Sequence, residues 1–238
     1  MNCNVVYFIQ ARTGSSRLPN KVLKNFYREK SILTSIISRI HRQSSSPVVV
    51  LTSDLPSDDG IEEAANLEGA HCLRGSEENV LSRFLEGITT FSPNYIVRVT
   101  SDNPFFDASM VCAVKYLMDA LDADYASTKL GNGFPVGADL EVFKAESLVR
   151  CSKGKLGSSQ NHREHVTSIF YDERSDSSNL AISRREDSLT KVVLTVDTEE
   201  QFLFAASIAN RLGDSYLDSS WRQAASASLS LATRTPFH

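Results

Sequence analysis

The chain has 238 residues, 41% of them hydrophobic and 23% charged, with a formal net charge of −4. That composition is ordinary for a globular protein, and the length suffices to bury a sizeable core in one domain. The acidic balance, with a pI near 5.8, excludes a general nucleic-acid binder, which would need a basic face.

Val5 opens an apolar run over 5–9 that reads as a buried strand and is too short for a signal peptide or membrane span. It runs into Gln10-Ala11-Arg12-Thr13-Gly14-Ser15-Ser16-Arg17-Leu18-Pro19-Asn20-Lys21. Gly14 lets the backbone approach an anion, and loop N–H groups with Arg12, Arg17 and Lys21 supply a phosphate-shaped field. The loop is neither a Walker loop nor G-x-G-x-x-G, and an ordinary basic surface loop is the alternative reading. Ile32, Leu33, Ile36, Ile37 and Ile40 then recur at helical spacing in a helix over 31–42.

A second buried strand over 48–51 ends at Thr52-Ser53-Asp54, and a helix over 58–68 stops at Gly69. A short strand over 71–73 ends at Arg74-Gly75-Ser76, with Ser76 as the expected N-cap of a helix over 77–90. The strand over 95–100 delivers Ser101-Asp102-Asn103-Pro104, and Asp107 caps a helix through Leu121. A strand over 124–127 leads into a Gly- and Pro-bearing loop over 128–137. Strand character resumes over 139–143, a short helix follows, and the Gly/Ser-rich stretch 153–161 reads as mobile. A helix is expected over 162–171 and strands over 180–183 and 192–196. Thr198-Glu199-Glu200-Gln201 is a capping box opening a helix to about Arg211. Residues 215–238 hold the only tryptophan, Trp221, and read as a docking helix or a partly disordered tail.

This alternation predicts an α/β fold with a doubly wound, mostly parallel sheet and helices on both faces. The domain is expected over 1–214, with an acceptor or dimerisation excursion at about 128–185. Polar strand ends gather on one edge: the Arg12–Lys21 loop, Asp54, Arg74 to Ser76, Asp102 and Asp197. Open α/β sheets bind ligands there. Two aspartates facing a basic loop suit Mg²⁺ with a nucleoside triphosphate, although a cap or turn role fits each equally. Cys3, Cys72, Cys112 and Cys151 form no C-x-x-C and read as buried, reduced thiols, so a cytoplasmic location is expected.

These segments resemble the nucleotide-sugar pyrophosphorylase-like nucleotidyltransferases. The nearest resemblance is to the cytidylyltransferases of the spore-coat-polysaccharide type, related to CMP-sialate and CMP-Kdo synthetases. It rests on Gln10-Ala11-Arg12, Gly14-Ser15, Arg17, Pro19 and Lys21; on Val97 to Pro104; on Gly137 to Phe143; on Arg163-Glu164-His165-Val166-Thr167; and on Val196-Asp197-Thr198-Glu199-Glu200. Ser101 departs from the Gly common in relatives, and 153–161 does not align, which leaves the substrate open.

The resemblance implies a nucleotide-diphospho-sugar transferase-like, Rossmann-like fold. It implies transfer of CMP from CTP to a sugar, sugar acid or sugar phosphate, with pyrophosphate released, for surface-glycan assembly. Asp102 and Asp197 would hold Mg²⁺, with Asp102 at the α-phosphate. Arg12, Arg17 and Lys21 would be the catalytic cations at the β- and γ-phosphates. Gln10, Ala11, Gly14, Ser15, Thr52, Asp54, Arg74 and Ser76 would meet the nucleotide. Glu141, Arg163, Glu164 and His165 would meet the acceptor. A homodimer is expected, with 134–170 as its surface, and neither nucleic acid nor membrane as a partner.

Two other classes compete. Asp122-Ala123-Asp124 is a D-x-D pair of the kind that holds metal in nucleotide-sugar glycosyltransferases, yet it starts a strand, on the edge away from ligands. A nucleotide-binding module without catalysis would bind CTP and release nothing. His162 and His165 lack the H-E-x-x-H order of a zinc hydrolase, and a packed histidine is the plain alternative for His165.

Overall fold

The protein is described over residues 4–232 by a computed structural model. The first apolar run forms β1 (Val5–Gln10). A small antiparallel hairpin follows, β2 (Asn25–Tyr27) and β3 (Lys30–Ser31). It is absent from the sequence expectation because strands this short carry no periodicity. Ser31 then caps α1 (Ile32–Gln43) in a reciprocal box with Thr34.

The chain continues through β4 (Val48–Ser53), α2 (Asp59–Leu67), β5 (His71–Gly75), α3 (Val80–Phe91) and β6 (Tyr95–Thr100). After α4 (Val111–Leu121) come β7 (Tyr125–Ser127), β8 (Glu141–Lys144), α5 (Ala145–Cys151), α6 (Gln160–His165) and β9 (Asn179–Ala181). The described chain closes with α7 (Glu199–Leu212) and α8 (Trp221–Ala232).

The main sheet has seven strands in the order β5-β4-β1-β6-β8-β7-β9. Only β8 runs antiparallel to its neighbours, so the sheet is mostly parallel, as the alternation of elements predicts. Strand side chains alternate between two cores. Tyr7, Ile9, Val50 and Val97 pack with α1, α2, α4, α7 and α8. Phe8, Val49, Ile96 and Phe143 pack with α3, α5 and the turn after α6. Helix α3 crosses β1 so closely that a Cβ on Gly87 would lie 2.7 Å from the Phe8 ring.

Several expectations are corrected. Helix α3 is capped by Asn79, whose Oδ1 accepts from Ser82 N, while Ser76 Oγ accepts from Asn79 N in the turn before it. The helix expected over 162–171 breaks after α6, where Val166 takes a φ of 31°, and resumes as a 3₁₀ turn, Val166–Ile169. The run over 192–196 forms no ladder. It makes one bridge, Val136 to Val193, and Val196 N donates to Asp102 O at 2.9 Å. Gly137 makes that approach possible: its φ is 90°, and a Cβ there would sit 2.4 Å from Thr195 N.

Residues 213–232 form a 3₁₀ turn and then α8, which buries Trp221, Ala224 and Ala225; 233–238 lie outside the described residues. Cys151 is buried, Cys72 half-buried and Cys112 exposed, all as free thiols, and Cys3 lies outside the described residues. Among the described residues no helix is long and apolar enough to cross a membrane.

Candidate active site

Strand β1 ends at Gln10, and the loop that follows lies over the C-terminal edge of the sheet. Its shape is fixed from below by one carboxylate. Asp58 accepts from Thr13 N at 2.8 Å and from Thr13 Oγ1 at 2.6 Å, and it also takes the hydroxyls of Ser53 and Thr52. Burial pushes the Asp58 carboxyl up, but the hydrogen bonds from Ser53 and Thr13 outweigh it and hold it below the ordinary range.

A cleft of about 390 Å³ opens above this edge. The structure brings Gln10, Ala11, Arg12, Gly14, Ser15, Arg17, Lys21, Asp102, Glu164, His165 and Asp197 to its walls. These come from β1 and its loop, the end of β6, helix α6 and the start of α7. Asp102 and Asp197 are neighbours because Val196 N bonds Asp102 O.

Asp197 is gripped by the loop's cations: Arg17 lies 3.1 Å from Oδ2, and Lys21 Nζ lies 3.1 Å from Oδ1. Lys21 is almost wholly buried and spends a second hydrogen bond on Val196 O at 2.6 Å. The Asp197 N–H donates to Gln201 Oε1, so the capping box of α7 sets this residue's backbone.

Asp102 and Asp197 supply hard carboxylate oxygens. Among the described residues there is no group of three or more His, Cys, Asp and Glu suited to a metal. That donor set fits Mg²⁺, which takes one or two protein carboxylates and completes its shell with water and phosphate oxygens, and not a closed zinc site.

Six expected site residues do not reach the cleft. Thr52 is buried and gives its hydroxyl to Asp58. Asp54 is exposed off the β4 end. Arg74 is bound up with Asp59 and Glu62. Ser76 belongs to the turn before α3. Arg163 is not among the residues lining the cleft, and its buried Nε has no partner.

Glu141, expected at the acceptor, is buried beneath the site. It accepts from Arg98, from Tyr125 OH at 2.7 Å and from Thr167 Oγ1 at 2.7 Å. Burial pushes this carboxyl up, yet Arg98, then Lys129, Thr167 and Tyr125, outweigh that and hold it at about 2. The Asp122–Asp124 pair is also spoken for, by Lys144 and Arg150 respectively, and lies off the cleft.

Sequence reasoning missed Ser16, Val22, Val80, Arg83, Thr100 and Ser101 as wall residues. Arg83 matters most. It is 3% exposed, donates to Leu51 O at 3.2 Å and leaves its buried Nε without a partner. Its place among Val80, Leu81 and Phe84 hides it in an apolar stripe; a cation there is the signal that could have found it.

Comparison with known proteins bears on the family and the fold. A family profile described as cytidylyltransferase matches residues 6–212. The spore coat polysaccharide biosynthesis protein SpsF of Bacillus subtilis is 34% identical over 169 residues, covering 69% of this chain and 68% of that protein. A cytidylyltransferase of Leptospira borgpetersenii superposes with a TM-score of 0.88 at 24% identity, over 100% of both chains. A CMP:2-keto-3-deoxy-manno-octonic acid synthetase complexed with CTP superposes with a TM-score of 0.61 at 14% identity, over 87% of this chain and 99% of that one. The last two likenesses concern the fold.

Proposed function

The chain belongs to the cytidylyltransferase family, and from that premise we propose that it transfers CMP from CTP to a sugar, sugar acid or sugar phosphate. Surface-polysaccharide assembly is the proposed setting, on the strength of the Bacillus subtilis relative, a spore coat polysaccharide biosynthesis protein. The carrying observation is the convergence of Arg17 and Lys21 on Asp197 beside Asp102, in a cleft also lined by Gly14, Ser15 and Ser16.

In this reading an acceptor oxygen attacks the α-phosphorus in line while the bond to the pyrophosphate oxygen breaks. Arg12, Arg17 and Lys21 bind the β- and γ-phosphates and offset charge on the departing pyrophosphate. Arg83 adds a buried cation to the same wall. Asp102 and Asp197 would hold Mg²⁺, which supplies charge stabilisation at the phosphates and eases loss of the acceptor's proton. Glu164 and His165, which also line the cleft, would meet the acceptor. Positioning and electrostatics then account for catalysis without a dedicated side-chain base. The reading includes a homodimer docked through 134–170, which sedimentation at varied concentration tests.

The test of the activity is pyrophosphate release with Mg²⁺, each of the four nucleoside triphosphates, and a panel of sugars, sugar phosphates and ulosonic acids. Release confined to CTP and one acceptor, and lost in Asp102→Ala, is the expected result. Binding of CTP with no release for any pair would replace it with a non-catalytic nucleotide binder. Binding of a nucleotide sugar in preference to CTP would instead favour a glycosyltransferase.

A further inference from the structure

Gln10 ends β1 and lines the cleft, and its amide is not free to choose its orientation. Arg98, on β6, donates from Nε to Gln10 Oε1 at 3.0 Å. A guanidinium carries only donors, so the amide oxygen must face it and the amide nitrogen must face away. No described residue accepts from that nitrogen. The side chain therefore has two N–H donors left to offer, with its oxygen turned to Arg98.

Arg98 is in turn locked. It is buried, sits opposite Glu141 in the β6–β8 register, and bonds Glu141 and Thr167 Oγ1. The carboxylate of Glu141 is itself saturated by Tyr125 and Thr167. This is a charge-assisted network with every member oriented, buried directly under the strand end that opens the phosphate loop.

We propose that Arg98 is a positioning residue that fixes the hydrogen-bond polarity of Gln10, so that Gln10 donates to an oxygen of the bound nucleotide. A nucleoside triphosphate fits what Gln10 offers, because its phosphates and its base carbonyl are acceptors. Ala11, Arg12, Gly14, Ser15 and Ser16, in the loop that follows Gln10 directly, line the same cleft. This inference rests on the CTP-binding reading above; Arg98 acts only through Gln10, and Glu141 acts only by holding Arg98.

The test is calorimetric titration of the purified protein with CTP in Mg²⁺, with thermal melting of each variant in parallel. Arg98→Lys keeps a cation for Glu141 but loses the planar fork that also reaches Gln10. Both Arg98→Lys and Gln10→Ala are expected to weaken CTP binding about five-fold, the scale of one lost neutral hydrogen bond. In the Gln10→Ala background, Arg98→Lys is expected to cost no further affinity, because the two act through one contact. A merely structural role for Arg98 would weaken binding equally in both backgrounds, and that result overturns the proposal.

Gln10→Glu preserves shape and leaves Arg98 paired, so it reads the polarity even where Arg98→Lys fails to fold. It is expected to weaken CTP binding at least about ten-fold, through loss of the donors and the added charge. Binding equal to wild type would end the idea. Absence of CTP binding by the wild-type protein would instead overturn the proposed function, and this inference with it.

Discussion

Thr13 gives both its backbone N–H, at 2.8 Å, and its hydroxyl, at 2.6 Å, to the carboxylate of Asp58, 45 residues further along the chain. The loop proposed to bind phosphate is thus shaped by a residue that does not line the cleft. Asp58→Ala removes the acceptor and strands buried donors on Thr13 and Ser53, at a cost of about 1–3 kcal/mol. Urea unfolding should report that loss. CTP titration should show weaker binding as well, because the loop amides lose their fixed arrangement. Unchanged CTP affinity in the folded variant would mean that the loop holds its shape without Asp58.

Asp197 answers to two masters: it pairs with Arg17 and Lys21, and with Asp102 it forms the proposed metal site. Asp197→Asn removes the charge at constant shape. Turnover is expected to fall about 10²-fold or more, the scale of losing one preorganised electrostatic contact in a transition state. The Mg²⁺ concentration for half-maximal rate should rise. Chelation should abolish wild-type activity, and added Mg²⁺ should restore it. A rate in Asp197→Asn that saturates at the wild-type Mg²⁺ concentration would remove Asp197 from the metal site.

Arg17 is largely exposed and reaches the cleft from the loop, so its loss should not disturb the fold. Its proposed work is to offset charge that grows on pyrophosphate as the bond breaks. Arg17→Ala should therefore lower kcat more than it raises KM for CTP. An effect on KM alone would assign Arg17 to ground-state binding.

The residues legible in the sequence are those that come after apolar runs. Arg17, Lys21, Asp102 and Asp197 each follow an apolar run, and the edge they share follows from the alternation of strands and helices. Thr52 and Arg74 follow the same pattern yet are used internally, because Asp58 and the acidic start of α2 compete for them. That competition is tertiary and leaves no mark in spacing. Glu141 illustrates the opposite limit. A carboxylate inside a short strand suggests a functional group, but it neutralises Arg98, a partner 43 residues away. The run over 192–196 has strand composition, yet it meets only loop backbone around Val136 and Asp102, so no ladder forms.

Glu141 also carries a pH dependence. Its folded carboxyl is held at about 2, against an ordinary 4.5, because Arg98 and Lys129, with the Thr167 and Tyr125 hydroxyls, outweigh the cost of burial. The unfolded chain therefore binds more protons than the folded one between those values, and stability rises with pH there. The contribution of Glu141 is complete above about pH 4.5 and drains away as the pH falls toward about 2. Glu141→Gln should flatten that part of the acid-unfolding curve. It should also cost about 3–5 kcal/mol at neutral pH, because it leaves Arg98 buried without its counter-charge. Parallel acid titrations of the two proteins, followed by circular dichroism, check both points.

The C-terminal helix offers the last test, because it separates stability from chemistry. Trp221 is 4% exposed; its backbone N–H donates to Asp107 Oδ2 at 3.0 Å, and its ring lies 5.4 Å from Phe134, with Arg184 and Arg222 against it. Helix α8 in turn braces α7, where Arg211 Nε donates to Ser230 Oγ at 3.0 Å. Trp221→Ala should lose about 3–5 kcal/mol through the cavity it leaves. Converted at this chain length, that loss lowers Tm by roughly 10 °C. The site should be spared, because Asp197 is set by the capping box at the far end of α7 and not by α8. Turnover measured well below the variant's Tm should stay within about two-fold of wild type, since a cavity far from the reacting groups leaves their contacts intact. A fall in kcat at temperatures where the variant is fully folded would show instead that α8 governs the placement of Asp197.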